Sequence, residues 1–440
     1  MDRRHYLAAV GVLLGAGCTS NDSSPDPEPS DEPSDSEGSN GTSDSKSPSE
    51  RSESLPNTPE WEYDIPDELG SSAVTVGDGV YIVESGKLIH LSETGGVQWT
   101  SDLDWGSSDI AEPKDIIFSG DSVYYSARVS PGTGRLGAHD AGTGDQLWAQ
   151  DFDINPLNFI EVTEDTVFAG RTSAEEPGRA SILNIDASTG DERWRTVTGM
   201  TEDATTSHGL LIVYSDVTNT VTALGIDTGD EQWNDSLSPD SSARIFTRGD
   251  TFSIAVGFSA FGYSLPDGKT IWHRSLERDW RLAEPAPTDS AYPSDIYVAD
   301  GGGELRAIDV AAGNERWVID DTEGEHTAMG VGTNSIFVYY SDGSLISYDM
   351  DDGSQRWRSS VTSDYENQHI FLSTDTVFLT SQQFGKETSV QAFDIESGQR
   401  RWQTRLSTGE APPKIRTALD EHVVVVTPDS IYGLPIDEFA

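Results

Sequence analysis

From residue 61 onward the chain alternates short apolar runs with clusters of turn residues. One stretch shows the grammar: 326–333, Ser335–Tyr340, Ser344–Asp349 and 355–358 are rich in β-branched and aromatic residues. They are separated by Thr333 with Asn334, Asp342 with Gly343, and Asp352 with Gly353. Runs of four to eight such residues, punctuated this way, predict four consecutive strands joined by tight turns. No long segment shows the 3.6-residue period of an amphipathic helix.

This four-strand unit recurs. Glycine precedes tryptophan by four residues at Gly95 and Trp99, Gly144 and Trp148, Gly190 and Trp194, and Gly229 and Trp233. The same spacing returns at Gly268 and Trp272, Gly313 and Trp317, Gly353 and Trp357, and Gly398 and Trp402. Eight of the eleven tryptophans follow this one rule, at intervals of 39 to 49 residues. That period is the length of a four-stranded propeller blade. In five units an aspartate stands four residues before the glycine: Asp140, Asp186, Asp309, Asp349 and Asp394. A carboxylate there can accept N–H bonds within the turn, while glycine supplies a positive φ. Leu91, Gly225 and Ser264 replace it in the other three. The tryptophan, early in the fourth strand, is expected to fill the gap between neighbouring blades.

Asp-x-x-x-Gly-x-x-x-Trp at this period resembles the pyrroloquinoline-quinone-type repeat. Quinoprotein alcohol dehydrogenases share that repeat with the propeller lipoprotein of the bacterial outer-membrane barrel-assembly machine. The resemblance covers residues 61–440 and implies an all-β single propeller of four-stranded blades. Eight blades are the family norm and the expectation here. Three further strands are predicted after Trp402, at 414–419, 422–427 and 430–436, and 61–65 reads as a lone fourth strand. Strands from both termini would then close the ring, and nine blades result if this split unit forms a blade of its own.

The first 60 residues read differently. A basic start, a short apolar core and small residues before Cys18 describe a signal peptide over 1–17, too short to span a bilayer. Arg3 and Arg4, followed by Tyr6 and Leu7, resemble a twin-arginine export signal. Leu14 to Cys18 resembles a lipobox, with Gly15 where an aliphatic residue is usual, so Cys18 is the expected lipidation site. Cys18 is also the sole cysteine, so no intramolecular disulfide can form. Residues 18–60 read as a lipidated cysteine and a disordered tether: from Thr19 to Ser54 they are Ser, Asp, Glu, Pro, Gly and other polar residues, with nothing to bury. Sequons at Asn21, Asn40 and Asn234 are candidate glycosylation sites. These features predict a lipid-anchored protein on the extracytoplasmic face of the membrane.

Charge narrows the partners. With 28 basic against 76 acidic residues the net charge is −48, so nucleic acid and anionic lipid surfaces are repelled, leaving the lipid as the only contact with the membrane. Most of the excess lies on the propeller, because residues 19–60 contribute only eleven acids and two bases. Such self-repulsion is relieved at molar salt, where the Debye length is about 3 Å. The acidity, and six lysines among the 28 basic residues, resemble a protein of an extremely halophilic archaeon.

Catalytic patterns are sparse. The eight histidines (His5, His90, His139, His208, His273, His326, His369 and His422) show no ligand-like spacing. Asp349 to Gly353 lacks the glutamate that would complete a calcium loop and reads as a blade turn. Gly301 to Gly303 lies between predicted strands and not before a helix, so it is no phosphate cradle. The resemblance implies, for the quinoproteins, carboxylates and an Asn around quinone and calcium, plus a disulfide of adjacent cysteines that this chain cannot make. The expectation is therefore no cofactor, no metal and no catalysis. The predicted role is a scaffold that binds a protein or small ligand at a propeller face. The alternative is a quinone-dependent dehydrogenase.

Overall fold

The computed structural model describes residues 59–436 apart from 66–72, 85, 104, 106–111, 154–157, 171–180, 199–200, 202, 216–217, 238–242, 257–258, 276–280, 283, 286–294, 300–303, 321–325, 333, 362–365, 384–386, 408–413, 419–421 and 428–429. Arg3, Arg4, Cys18, Asn21, Asn40 and the tether lie outside the described residues. All regular structure among the described residues is strand. None of it is a helix long and apolar enough to cross a membrane.

The strands form nine sheets. Eight follow one another in the chain. The first spans 73–102, the second 112–152, the third 158–197 and the fourth 203–236; the fifth spans 243–275, the sixth 281–320, the seventh 326–360 and the eighth 366–407. The ninth joins Lys414–Ala418, His422–Val426 and Ser430–Pro435 to Trp61–Asp64 from the other end of the chain. Trp61 pairs with Gly433 and Asp64 with Ser430, antiparallel. The eight-blade expectation therefore gives way to nine sheets, because the split terminal unit pairs with itself and does not complete a neighbour.

In the first five sheets and the eighth each strand is hydrogen-bonded to the next in the chain, antiparallel, as tight turns dictate. First strands of successive sheets lie side by side, Ala73–Val76 against Glu112–Ser119 and His326–Val331 against Glu366–Leu372. They form the inner wall, and fourth strands form the rim.

Burial follows from that arrangement. Second strands such as Ser335–Tyr340 are buried at every position, since neighbouring sheets cover both faces. This is why their sequence is a continuous apolar run and not an alternation. Fourth strands such as Glu192–Val197 alternate between exposed and half-buried. The core is thus a ring of clusters between sheets. Leu305, Ala307 and Trp317 of the sixth pack on Val331, Ile336, Val338 and Tyr348 of the seventh. Phe337, Tyr339 and Trp357 of the seventh pack on Leu372, Val377 and Phe393 of the eighth.

The sixth sheet departs from the rule. Its first strand is only Arg281–Leu282, and the chain then crosses so that Glu284–Pro285 runs parallel to His326–Val331 of the seventh.

Candidate functional site

The repeat residues meet between sheets, not within one unit. Each of the eight repeat tryptophans donates its indole N–H to a backbone carbonyl of the following sheet, at 2.7–3.3 Å. The acceptors are Ala141, Ala187, Ile226, Leu265, Val310, Met350, Ile395 and Ile436. All but the last directly follow the position that aspartate, glycine or serine occupies in the repeat.

The glycine of one unit lies against the tryptophan of the unit before it. Gly353 has φ +72°, and a β-carbon there would sit 2.9 Å from the Trp317 ring. The same holds for Gly144 on Trp99 and for Gly398 on Trp357, at 2.6 and 2.4 Å. Two demands thus coincide, a left-handed backbone and a bare face for an indole. Opposite each tryptophan within its own sheet the third strand offers a small residue in six cases, such as Ala138, Ala307 and Ser347.

The aspartates cap the turn as the sequence suggests. Asp394 accepts from the Ser397 amide at 2.9 Å, and Arg401, the residue before Trp402, reaches it at 2.8 Å. These contacts, Arg401 first and the Ser397 hydroxyl next, hold the Asp394 carboxyl down to about 2. At Asp186 the Ser188 hydroxyl and Arg193 hold the carboxyl well below the usual range. The turn does not depend on the carboxylate, however. Gly229 still donates to the Gly225 carbonyl, and Gly268 to that of Ser264, at 2.8 and 2.9 Å.

Sequence reasoning missed the ninth wedge. Trp61 lies against Gly95, where a β-carbon would be 2.7 Å from its ring. Its signal was the interval to Trp99, 38 residues and one short of the shortest repeat interval, although Asn57 and not glycine stands four residues before it. The closing contact was also hidden: His422, buried, lies 2.7 Å through Nε2 from the Glu60 carboxylate.

The histidines of the described residues are not gathered. His90 stacks on Tyr81 with ring centroids 4.3 Å apart, and His139 bonds the Gly144 carbonyl at 3.1 Å. Burial lowers the basicity of both. His208 and His273 are exposed. Asn234 stands exposed on the outermost strand of the fourth sheet. Glu161, in the inner strand Asn158–Val162, is the unexpected titratable group: burial pushes its carboxyl up to about 7.

No group of three or more His, Cys, Asp or Glu able to hold a metal occurs among the described residues.

Comparison with known proteins places this geometry. Residues 132–284 and 259–432 match the family described as outer membrane protein assembly factor BamB. A quinohemoprotein alcohol dehydrogenase of Comamonas testosteroni is 30% identical over 152 residues, 31% of this chain and 21% of the enzyme. The chain thus spans about a fifth of that relative's length. The crystal structure of the same enzyme superposes with a TM-score of 0.50 at 16% identity, covering 87% of this chain and 77% of the enzyme chain. BamB from Moraxella catarrhalis gives 0.47 at 14% identity, covering 74% and 96%. With one repeat contact recurring from joint to joint and the family match spanning most of the ring, this chain belongs to the BamB family of β-propellers with the pyrroloquinoline-quinone-type repeat.

Proposed function

We propose that this propeller is a non-catalytic scaffold, held by lipid at Cys18 on the outer face of the cell membrane, that presents a ring face to a protein or small ligand. The observation that carries this reading is membership of the BamB family, which is described as an outer membrane protein assembly factor. The geometry agrees with it. Tryptophans and glycines join sheet to sheet, aspartates and buried histidines tie turns and strands within a sheet, and recognition of a partner falls to the ends of the ring.

Crosslinking on intact cells in molar salt, followed by identification of what is attached, tests the reading. A defined protein or ligand recovered with the wild-type chain and lost on loop substitution supports it. Turnover of alcohols by the purified protein with added quinone and calcium would sink it. That second reading, a quinone-dependent dehydrogenase, rests on the 30% identity to the Comamonas enzyme. The anchor is tested separately: Cys18→Ser should release the protein from membranes into the medium.

The net charge of −48 supports a halophilic setting. Dialysis from molar to low salt should abolish the β signal in circular dichroism, as screening is withdrawn. A melting temperature indifferent to salt would contradict this.

A further inference from the structure

The inner wall has one seam that differs from the others. Glu161 pairs with Phe168 just after a bulge in Asn158–Val162. The corresponding place in other sheets holds an uncharged residue: Thr75, Ile117, Thr205, Phe246, Gly330, Phe371 or Thr417. Here a carboxyl replaces them, and its partner lies across the seam: the Thr206 hydroxyl, on the first strand of the fourth sheet, donates to Oε1 at 2.5 Å. Oε2 is sealed from solvent and has no partner among the described residues. A neutral carboxyl tolerates that setting; an ionised one, with no cation beside it among the described residues, does not.

We infer that Glu161 is a proton-operated latch between the third and fourth sheets. Protonated, it accepts from Thr206 and lets Asn158–Val162 close on Asp203–Ser207. On losing its proton to solvent the carboxylate turns toward water and the two inner strands part locally. Burial raises its titration to about 7, against the hydroxyl and backbone hydrogen bonds of Thr206, which lower it. The titratable groups on the elements packed against it are few. Glu112, Lys114 and Asp115 lie on Glu112–Ser119, with Lys114 tied to Glu112 at 2.7 Å. Asp203 lies on Asp203–Ser207, and Thr166–Gly170 has none.

The sign is that of an acid raised on folding. Its share of stability is present below the unfolded value near 4.3 and is lost as pH climbs through about 7. The buried His90 and His139 act in the opposite direction, and they sit in the first and second sheets.

Hydrogen exchange followed by mass spectrometry, in molar salt and corrected for intrinsic rates, tests the latch. Between pH 5.5 and 8 the segments 158–162 and 203–207 should lose protection about tenfold or more, by up to one decade for each pH unit between the unfolded value near 4.3 and the folded titration at about 7, and level off above it. Segment 366–372 should not change. In Glu161→Gln the pH dependence of the two segments should vanish. An unchanged wild-type profile, or an equal loss in Glu161→Gln, overturns the proposal. Carboxyl NMR of the wild-type protein gives an independent check: a Glu161 resonance titrating near 4.3 overturns it whatever the variant does.

Discussion

At the joint between the seventh and eighth sheets, Trp357 donates to Ile395 at 2.9 Å and its ring lies on Gly398. At the joint between the ninth and first sheets, the Trp61 ring lies on Gly95, but its indole N–H finds no partner among the described residues. The carbonyl that would receive it, of Ser92, instead accepts the Gly95 amide at 2.9 Å. The joint on the other side of the split sheet lacks the opposite half. Trp402 has its carbonyl, Ile436, while Phe439 stands in sequence where the glycine would be. The two joints flanking the split sheet therefore carry an incomplete version of the repeat contact. Closure leans on other groups: His422 against Glu60, and the Glu60 amide on the Gly433 carbonyl at 3.1 Å. A repeat can be copied along a chain, but the place where the ends meet has to be built separately.

The largest expected difference between these joints is at the tryptophans. Trp357→Ala, which empties a buried, hydrogen-bonded site, should cost about 3–5 kcal/mol in denaturant unfolding at molar salt. Trp61→Ala, at a half-buried ring without its hydrogen bond, should cost about 1–3 kcal/mol. Equal losses would erase the distinction drawn here.

The glycines separate backbone strain from packing. Gly209 has φ +77° with nothing within 4 Å of a built β-carbon, so Gly209→Ala should cost about 1–2 kcal/mol. Gly398→Ala adds a clash with the Trp357 ring at 2.4 Å and should cost about 1–3 kcal/mol more. The gap between the two, measured by the same unfolding curves, reports how tightly the wedge is held.

At the closing sheet, a double-mutant cycle of Glu60→Gln and His422→Gln should return a coupling of about 1 kcal/mol. No coupling would leave strand pairing alone to close the ring.

The smallest effect concerns acid. Asp394 titrates below its unfolded value, so its contribution is present above about pH 3.9 and is lost as pH falls toward about 2. Because the pair with Arg401 is only half-buried and partly screened by water, Asp394→Asn should cost about 0.2–1 kcal/mol at neutral pH and flatten the acid limb of stability. At the Ser264 turn, which has no carboxylate at that position, the same effect falls to Asp267, which Lys269 and the Ser264 hydroxyl hold down to about 2.

Much of the ring was legible in order. Runs such as Ser335–Tyr340 declare a strand buried on both faces, and the Gly-x-x-x-Trp spacing declares both the turn and the wedge. The destination of each wedge was not legible, because Gly398 serves Trp357 of the unit before and not its own Trp402. Glu161 was invisible for a similar reason. A lone carboxylate in a chain with 76 acidic residues carries no mark, and only the register against Phe168 places it at a seam.

What the sequence by itself determined is the local order: strand, turn, strand, and the side chains able to fill or line a joint. These are set within a few residues by backbone preference and by which faces are apolar. What only the tertiary structure decided is how the ends meet. Nine sheets in place of eight, Trp61 on Gly95, and His422 beside Glu60 some 362 residues away depend on how many sheets the wedges pack before the ring closes. That angle belongs to all the joints together and to no segment of the chain.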